Sequence, residues 1–543
     1  MAESLCTLSD LEQHKPYPPL GPAPKVLMVC PVSPRCFWTF EGMMEIVPEH
    51  SLIPPLGLIT VAALCPKHWE IRLVDHSFEE LKEADVLWAD LVMVSAMNVQ
   101  REDALRTLGF ASKLGRRTII GGPYASSEPE ALLPFADHVV VGEPDESFSE
   151  IAADLESGFA RRLYRIREKP DVRKTPIPRF DLLKLNNYTS MSLQFSRGCP
   201  FTCEFCDIIT IYGRRPRTKS PAQMTGELDA LLRLGWRKPV FLVDDNFIGN
   251  HKAALELVKT LQVWQQREDY PCALYTEASV DLASRIELLD AMVKANFVGV
   301  FLGIESPSSE SLKEAKKFQN VNRNLLDCIR TIQEHGLWVM GGFIIGFDSD
   351  PKDIFEQQVA FIKEAAIPWA MPGFLQAIPT TPLYDRMKVD GRLLQDRHAI
   401  GPIEPPNFKT LLPLPELTDG FRRMLLELYS PGNFYDRAIE SLQRWKNTSE
   451  QRAPAIPFLY GLKVLVASLW QQGIRSRYRW SYLRFMSRLV LRWGLDSRKM
   501  WLGFVIAMSG HHFIVYSQDV ADSLEEKTVW AQPEMEKQSV ASV

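Results

Sequence analysis

At 543 residues the chain is too long for a single hydrophobic core, so two or three domains are expected. With 46% hydrophobic and 24% charged residues and a formal charge of −5, it has an ordinary globular composition, and no basic excess points to nucleic acid. Nine cysteines, single apart from one triplet, make no disulfide framework; no signal segment or membrane-length apolar run is visible, so a cytoplasmic location is expected.

Residues 1–24 read as a Pro-rich, irregular lead-in. Apolar β runs then alternate with helical segments. KVLMVCP (25–31), EIRLVDH (70–76), LVMVSAM (91–97), RTIIGGP (117–123) and HVVVGEP (138–144) read as strands buried on both faces. This alternation over 25–160 predicts an α/β, doubly wound, Rossmann-like parallel sheet with its ligand site at the carboxyl ends of the strands. Residues 161–189, rich in Arg, Lys and Pro, read as a linker. From 190 to 390 a second series predicts six β/α units, an open, partial (β/α)6 barrel whose working residues belong at the C-terminal strand ends. Residues 391–517 read as helical and 518–543 as a polar tail.

Directly after the first barrel strand, SRGCPFTCEFCD sets Cys199, Cys203 and Cys206 at C-x3-C-x2-C. A structural zinc ion takes four protein ligands, so three thiolates with no fourth nearby leave one position open. A [4Fe–4S] cluster on three cysteines has the same property, with one iron free for an exogenous ligand. Phe205 would shield such a cluster from water. The plainer alternatives are three buried cysteines on a loop, or a zinc knuckle completed by a distant His.

C-x3-C-x-aromatic-C after the first strand of a partial barrel resembles the radical S-adenosylmethionine superfamily. The resemblance implies that S-adenosylmethionine chelates the open iron and is cleaved to a 5′-deoxyadenosyl radical. It implies that Asp244, Asp245 and Asn246 of VDDN hold the methionine amine, a helix N-cap being the alternative. Glu305 of LGIES would contact the ribose or the amine, and Gly342, Ile344 and Gly346 of GGFIIGF would let the backbone approach adenine, a pattern that turns also produce. AIPTTPLY (377–384) matches the last-strand P-G-T-P-L-Y element, except that Thr380 replaces the usual Gly.

The first domain resembles the cobalamin-binding domain of the cobalamin-dependent branch in IIGGP (119–123), VVVGEPDESF (139–148) and SLIPPLGLITVAAL. This implies that Gly121, Gly122 and Gly142 let the loops approach the corrin and its nucleotide tail, with Glu143 the acidic residue of the second element. A generic flavodoxin-like sheet is the alternative. The D-x-H-x-x-G of cobalt-ligating domains is missing; PVSPRCFWTF stands there, and Asp75-His76 has neither its spacing nor its Gly. No His is therefore expected on the lower face of cobalt, and Asn98 and Gln100 are the candidates to approach it. Methylthiotransferases would need further cluster cysteines, whereas Cys6, Cys30, Cys36 and Cys65 repeat no ligand spacing.

FCDIITIYGRRPRTKSP, FLVDDNFIGNHKAAL and the helical C-terminal region resemble the subgroup of the hopanoid C-2 methylases over nearly the whole chain. That implies a methyltransferase adding a methyl group to an unactivated carbon of an apolar lipid or secondary metabolite. Its cofactors would be a [4Fe–4S] cluster, S-adenosylmethionine and cobalamin, with a flavodoxin or ferredoxin as electron donor. A radical rearrangement or ring closure with the same cofactors is the alternative, and a cobalamin-binding sensor the non-enzymatic one. Between 461 and 500 nine Lys or Arg accompany one acid, and Arg484, Arg488 and Arg492 recur every four residues as a cationic stripe. The stripe reads as the solvated face of a packed helix or as a peripheral membrane contact.

Overall fold

The structure is a computed structural model describing residues 17–394, 401, 403–446, 452 and 457–540, with side chains through 525. Residues 1–16 of the lead-in and 541–543 of the tail lie outside the described residues.

The first five apolar runs form β1 (Lys25–Cys30), β2 (Glu70–Asp75), β3 (Leu91–Ser95), β4 (Arg117–Gly121) and β5 (His138–Val141). Val26, Val29, Leu91, Val92, Ile120 and Val139 are fully buried, as a parallel sheet covered on both faces requires. A sixth strand, β6 (Leu163–Arg165), comes from the segment read as linker; three residues between Arg-rich flanks are too few to show as an apolar run. All strands are parallel in the order β2-β1-β3-β4-β5-β6. The order reverses between β1 and β3, so the loops leaving those strands diverge and open a crevice.

β7 (Met191–Leu193), β10 (Val240–Leu242), β11 (Leu274–Ala278), β12 (Phe297–Glu305), β13 (Trp338–Ile345) and β14 (Trp369–Phe374) form a second all-parallel sheet, ordered β14-β13-β12-β11-β10-β7. β14 and β7 do not pair, so the barrel stays open. A short antiparallel pair, β8 (Ser196–Arg197) with β9 (Arg217–Thr218), braces the excursion that carries the cysteines.

Helices Leu414–Leu428, Pro431–Arg444 and Ser497–Val540 cover the last strands. Phe421 packs 4.3 Å from Phe374, and the Trp369 indole donates to Ser509 Oγ at 2.7 Å. The final helix runs on past 517 because Val520, Ala521 and Leu524 keep its core-facing stripe apolar. The loop after β1 is caught between barrel and final helix: Trp38 lies 4.4 Å from Phe301, and a Cβ on Gly42 would fall 2.7 Å from His512 Cα.

Candidate functional site

The carboxyl ends of the two sheets face each other. The helix Pro123–Ser127, which follows β4, touches the helix Ile208–Ile211, which follows the cysteines. A buried ion network fixes this approach. Arg197 reaches Glu143 at 2.9 Å and Asp145 at 2.8 Å, and Arg217 takes the other Glu143 oxygen at 2.8 Å.

The cysteine loop is held by backbone before any cofactor is considered. Asp244 accepts the Phe195 and Ser196 N–H groups at 2.9 and 2.5 Å, and Asp245 accepts that of Gly198 at 3.1 Å. Burial pushes Asp244 up to about 7 and Asp245 up to about 6. Their geometry makes both carboxylates anchors of the loop. Asn246 is different: its amide lies 4.0 Å from Cys199 Sγ, and the Gln319 amide lies 3.7 Å from Cys203 Sγ. Farther along, Glu204 is clamped by Arg386 at 3.0 Å and donates its N–H to Ala315.

Burial raises the Cys199 and Cys206 thiols, and negative charge on Cys203 raises both further, so the three sulfurs share one locality. No three His, Cys, Asp or Glu among the described residues converge around a single ion. A four-iron cube spreads its thiolates more widely than one ion does, and three thiolates with amide donors turned toward them suit it.

Glu305, at φ +66°, occupies a conformation that a side-chain-bearing residue seldom takes. It is over-determined there. Gln358 donates to its carbonyl at 3.1 Å, Asn320 donates to the Gly303 carbonyl at 3.0 Å, and Lys317 pairs with its carboxylate at 2.5 Å. A Cβ on Gly303 would fall 2.6 Å from that carboxylate, so glycine makes room for the pair. Burial works against the Lys317 ammonium, yet Glu305, Cys203 and Cys206 together hold it charged. Phe205 lies over it at 6.0 Å. Asn320, Lys317 and Gln358 escaped the sequence reading, because nothing local marks them.

A Cβ on Gly342 would strike the Phe301 ring at 2.8 Å, so glycine makes room for that ring, and Ile344 is half-buried against the cluster of Phe347 and Leu375. Gly346 has φ +111° and offers its N–H to Asp350 at 2.8 Å. Thr380 has φ +76°: the backbone keeps the glycine conformation although the residue is Thr. Glu277, near the end of β11, also escaped the sequence reading. Its carbonyl accepts the Phe247 N–H at 2.9 Å, its carboxyl takes no hydrogen bond among the described residues, and burial, then Asp245 and Asp244, push that carboxyl up to about 8.

In the first domain the three glycines separate. Gly122 (φ +91°) and Gly142 (φ +92°) are required by the chain itself: a Cβ would meet Ser95 Oγ at 2.7 Å and Ile166 O at 2.3 Å, respectively. Gly121 has room for a Cβ, with Val140 nearest at 3.9 Å, so the chain's own packing does not require glycine there. Glu143 spends its carboxylate on Arg197 and Arg217 and acts as a clamp between domains. Asn98 accepts from Ser127 Oγ at 2.8 Å and keeps its amide nitrogen free among the described residues. Gln100 is spent on Met97 and Pro31. Met97, 49% exposed at the end of β3, is the side chain left open beside it. His76 Nδ1 lies 2.6 Å from Asp103, and its Nε2 is sealed from solvent without a partner.

The B12 binding domain family matches residues 50–152, the radical SAM superfamily 193–362, and a domain of unknown function (DUF4070) 381–526. A hopanoid C-2 methylase of Rhodopseudomonas palustris is 33% identical over 92% of this chain and 94% of its own. The chain belongs to the cobalamin-dependent radical S-adenosylmethionine family. An uncharacterised methyltransferase of a Synechocystis species is 43% identical over 84% of this chain and 86% of its own. Two solved structures share the fold. The radical S-adenosylmethionine methyltransferase TsrM from Kitasatospora setae, with tryptophan and a SAM analogue bound, covers 86% of this chain and 99% of its own at 18% identity and a TM-score of 0.59. The cobalamin-dependent enzyme OxsB, with aqua-cobalamin and S-adenosylmethionine bound, covers 93% and 80% at 15% identity and a TM-score of 0.59.

Membership makes the protein a methyltransferase whose cofactors are a [4Fe–4S] cluster, S-adenosylmethionine and cobalamin. The residues present fit that set. In this radical S-adenosylmethionine enzyme three thiols share one loop, glycines stand beside the Glu305 carboxylate, and the strand order of the first sheet reverses between β1 and β3.

Proposed function

We propose that this enzyme adds a methyl group to an unactivated carbon of an apolar lipid. One observation carries the reading: aromatic faces stand along the barrel strands, Trp38 against Phe301 of β12 at 4.4 Å and Phe241 of β10 stacked on Tyr275 of β11 at 4.6 Å. Such faces bind hydrocarbon and hold water away from reactive species. The relative named a hopanoid C-2 methylase supports a polycyclic lipid as the starting candidate.

When bound, the cluster with S-adenosylmethionine supplies one-electron chemistry and cobalamin a transferable methyl group. The chain does the holding. Cys199, Cys203 and Cys206 ligate the cluster, while Asn246 and Gln319 donate toward two of the thiolates. Asp244 and Asp245 fix the loop on which the cysteines stand. Lys317 orients the Glu305 carboxylate and sets a positive charge beside the thiolates. Gly342, Ile344 and Gly346 would stand beside adenine, and Gly121, where a Cβ meets only Val140, beside the corrin tail. The reading also calls for a one-electron donor of the flavodoxin or ferredoxin kind.

The test is anaerobic incubation of the reconstituted enzyme with methyl-labelled S-adenosylmethionine and a pentacyclic triterpenoid, followed by mass spectrometry. A labelled product heavier by one methyl group supports the proposal. A cyclised or rearranged product without label overturns it.

A further inference from the structure

The C-terminal helices Phe458–Ser468 and Arg479–Trp493, joined by the π-helical turn Leu469–Arg475, are apolar on the wrong side. Leu459, Leu462, Val466, Trp470 and Ile474 recur at helical spacing and all are exposed, while Val464 and Ser468 on the opposite side are buried. The second helix repeats the arrangement: Trp480 is 72% and Leu491 85% exposed, while Tyr482, Phe485 and Leu489 fill the core side. Outward-facing apolar rows on consecutive helices mark an interaction surface.

Charge says what lies opposite. Residues 458–493 contain seven Lys or Arg and no Asp or Glu, in a chain whose net charge is −5. Lys463, Arg475, Arg477, Arg479, Arg484 and Arg492 are exposed and form no ion pair among the described residues. Only Arg488 of the seven is tied down, by Asp436. Two copies meeting through this face would set like charges against each other, which disfavours self-association. Long basic side chains interleaved with Trp and Leu instead suit a plane that is anionic outside and apolar beneath. No helix among the described residues is long and apolar enough to cross a membrane, so the contact would be interfacial.

We infer that the helix pair Phe458–Ser468 and Arg479–Trp493 docks the enzyme on the surface of an anionic lipid bilayer, Trp470 and Trp480 inserting at headgroup level. The inference stands apart from the substrate reading, since it concerns only this face.

The full-length protein is floated through a density gradient with vesicles of phosphatidylcholine alone or mixed with phosphatidylglycerol. Co-flotation with the mixed vesicles, lost at high salt, is expected. Trp470→Ser with Leu491→Ser, and separately Arg479→Glu with Arg484→Glu, should each weaken binding by about tenfold or more, while Arg479→Lys with Arg484→Lys binds like the native protein. All these side chains are exposed, so thermal unfolding should not change. The inference is overturned if the native protein stays at the bottom with anionic vesicles, or if both disruptive variants float as well as it does. It is equally overturned if the native protein proves to be a dimer that Trp470→Ser dissolves, for then a second copy covers the face.

Discussion

Two adjacent glycines separate cofactor approach from chain geometry. Gly121 lies outside the left-handed region, and a Cβ there would have Val140 atoms no nearer than 3.9 Å, an ordinary contact. Val is at home at a strand end, so Gly121→Val should change stability by no more than about 0.5 kcal/mol. Gly122 has φ +91°, and its Cβ would meet Ser95 Oγ at 2.7 Å and Ala96 O at 3.0 Å. There Gly122→Ala should cost roughly 1–2 kcal/mol for the left-handed backbone and about 1–3 kcal/mol for the crowding. At about 4 °C per kcal/mol, its unfolding temperature should fall by roughly 10 °C or more. The cofactor should respond in the opposite order. Methyl groups on Gly121 would stand where the proposed function puts the corrin tail, and a clash of about 1.4 kcal/mol already weakens binding tenfold. The assay is cobalamin content by absorbance after reconstitution, read beside thermal unfolding, with Gly121→Ala as the intermediate. Full cobalamin retention by a stably folded Gly121→Val protein would refute the placement.

Cys199→Ala, Cys203→Ala or Cys206→Ala should each abolish cluster absorbance in anaerobic protein while leaving cobalamin content intact; normal cluster absorbance in any one would sink the ligand assignment. Glu277 sits at about 8 in the fold against an ordinary 4.5, so its protonated form is the one the fold favours and native stability is lost as pH rises between those values. Glu277→Gln should therefore unfold at the same temperature as the native cofactor-free protein at pH 4.5 and at a higher one at pH 9, and a difference independent of pH would count against this. Thr380→Gly relieves a left-handed Thr at the entropic cost of a glycine, a net gain of about 0.5–1 kcal/mol by chemical denaturation, and a loss of stability would contradict the strain argument. With His76 Nε2 sealed and Gln100 spent, cob(II)alamin in this protein should show no threefold nitrogen splitting by electron paramagnetic resonance; splitting that disappears in His76→Ala would reverse that expectation.

Both sheets were legible because a strand buried on both faces needs an unbroken apolar run, and runs such as KVLMVC and HVVV can be little else. The cysteine loop was legible because three ligands within eight residues carry their own spacing. Partnerships across the chain were not. Glu143 meets Arg197 and Arg217 over separations of 54 and 74 residues, and a sequence contains no such distance. Glu143 therefore reads as a lone acidic residue of its motif until its partners are seen. The same holds for Lys317, ordinary within KEAKKFQ until folding sets its ammonium against Glu305. Gly122 and Gly142 teach a related lesson: a glycine motif records that a side chain is forbidden, and only the structure says whether cofactor or chain forbids it.

The seating of Gly42 against His512 ties order of synthesis to order of assembly. Phe37, Phe40 and Met43 finish packing only against Phe513 and its neighbours, so this segment waits for one made much later, 470 residues on in the case of Gly42 and His512. Until that helix is made, the loop after β1 has only its other contacts, such as Trp38 against Phe301 of the barrel, to lie on. The last helix therefore closes the packing around that loop and fastens the first domain's leading segment to the C-terminal region.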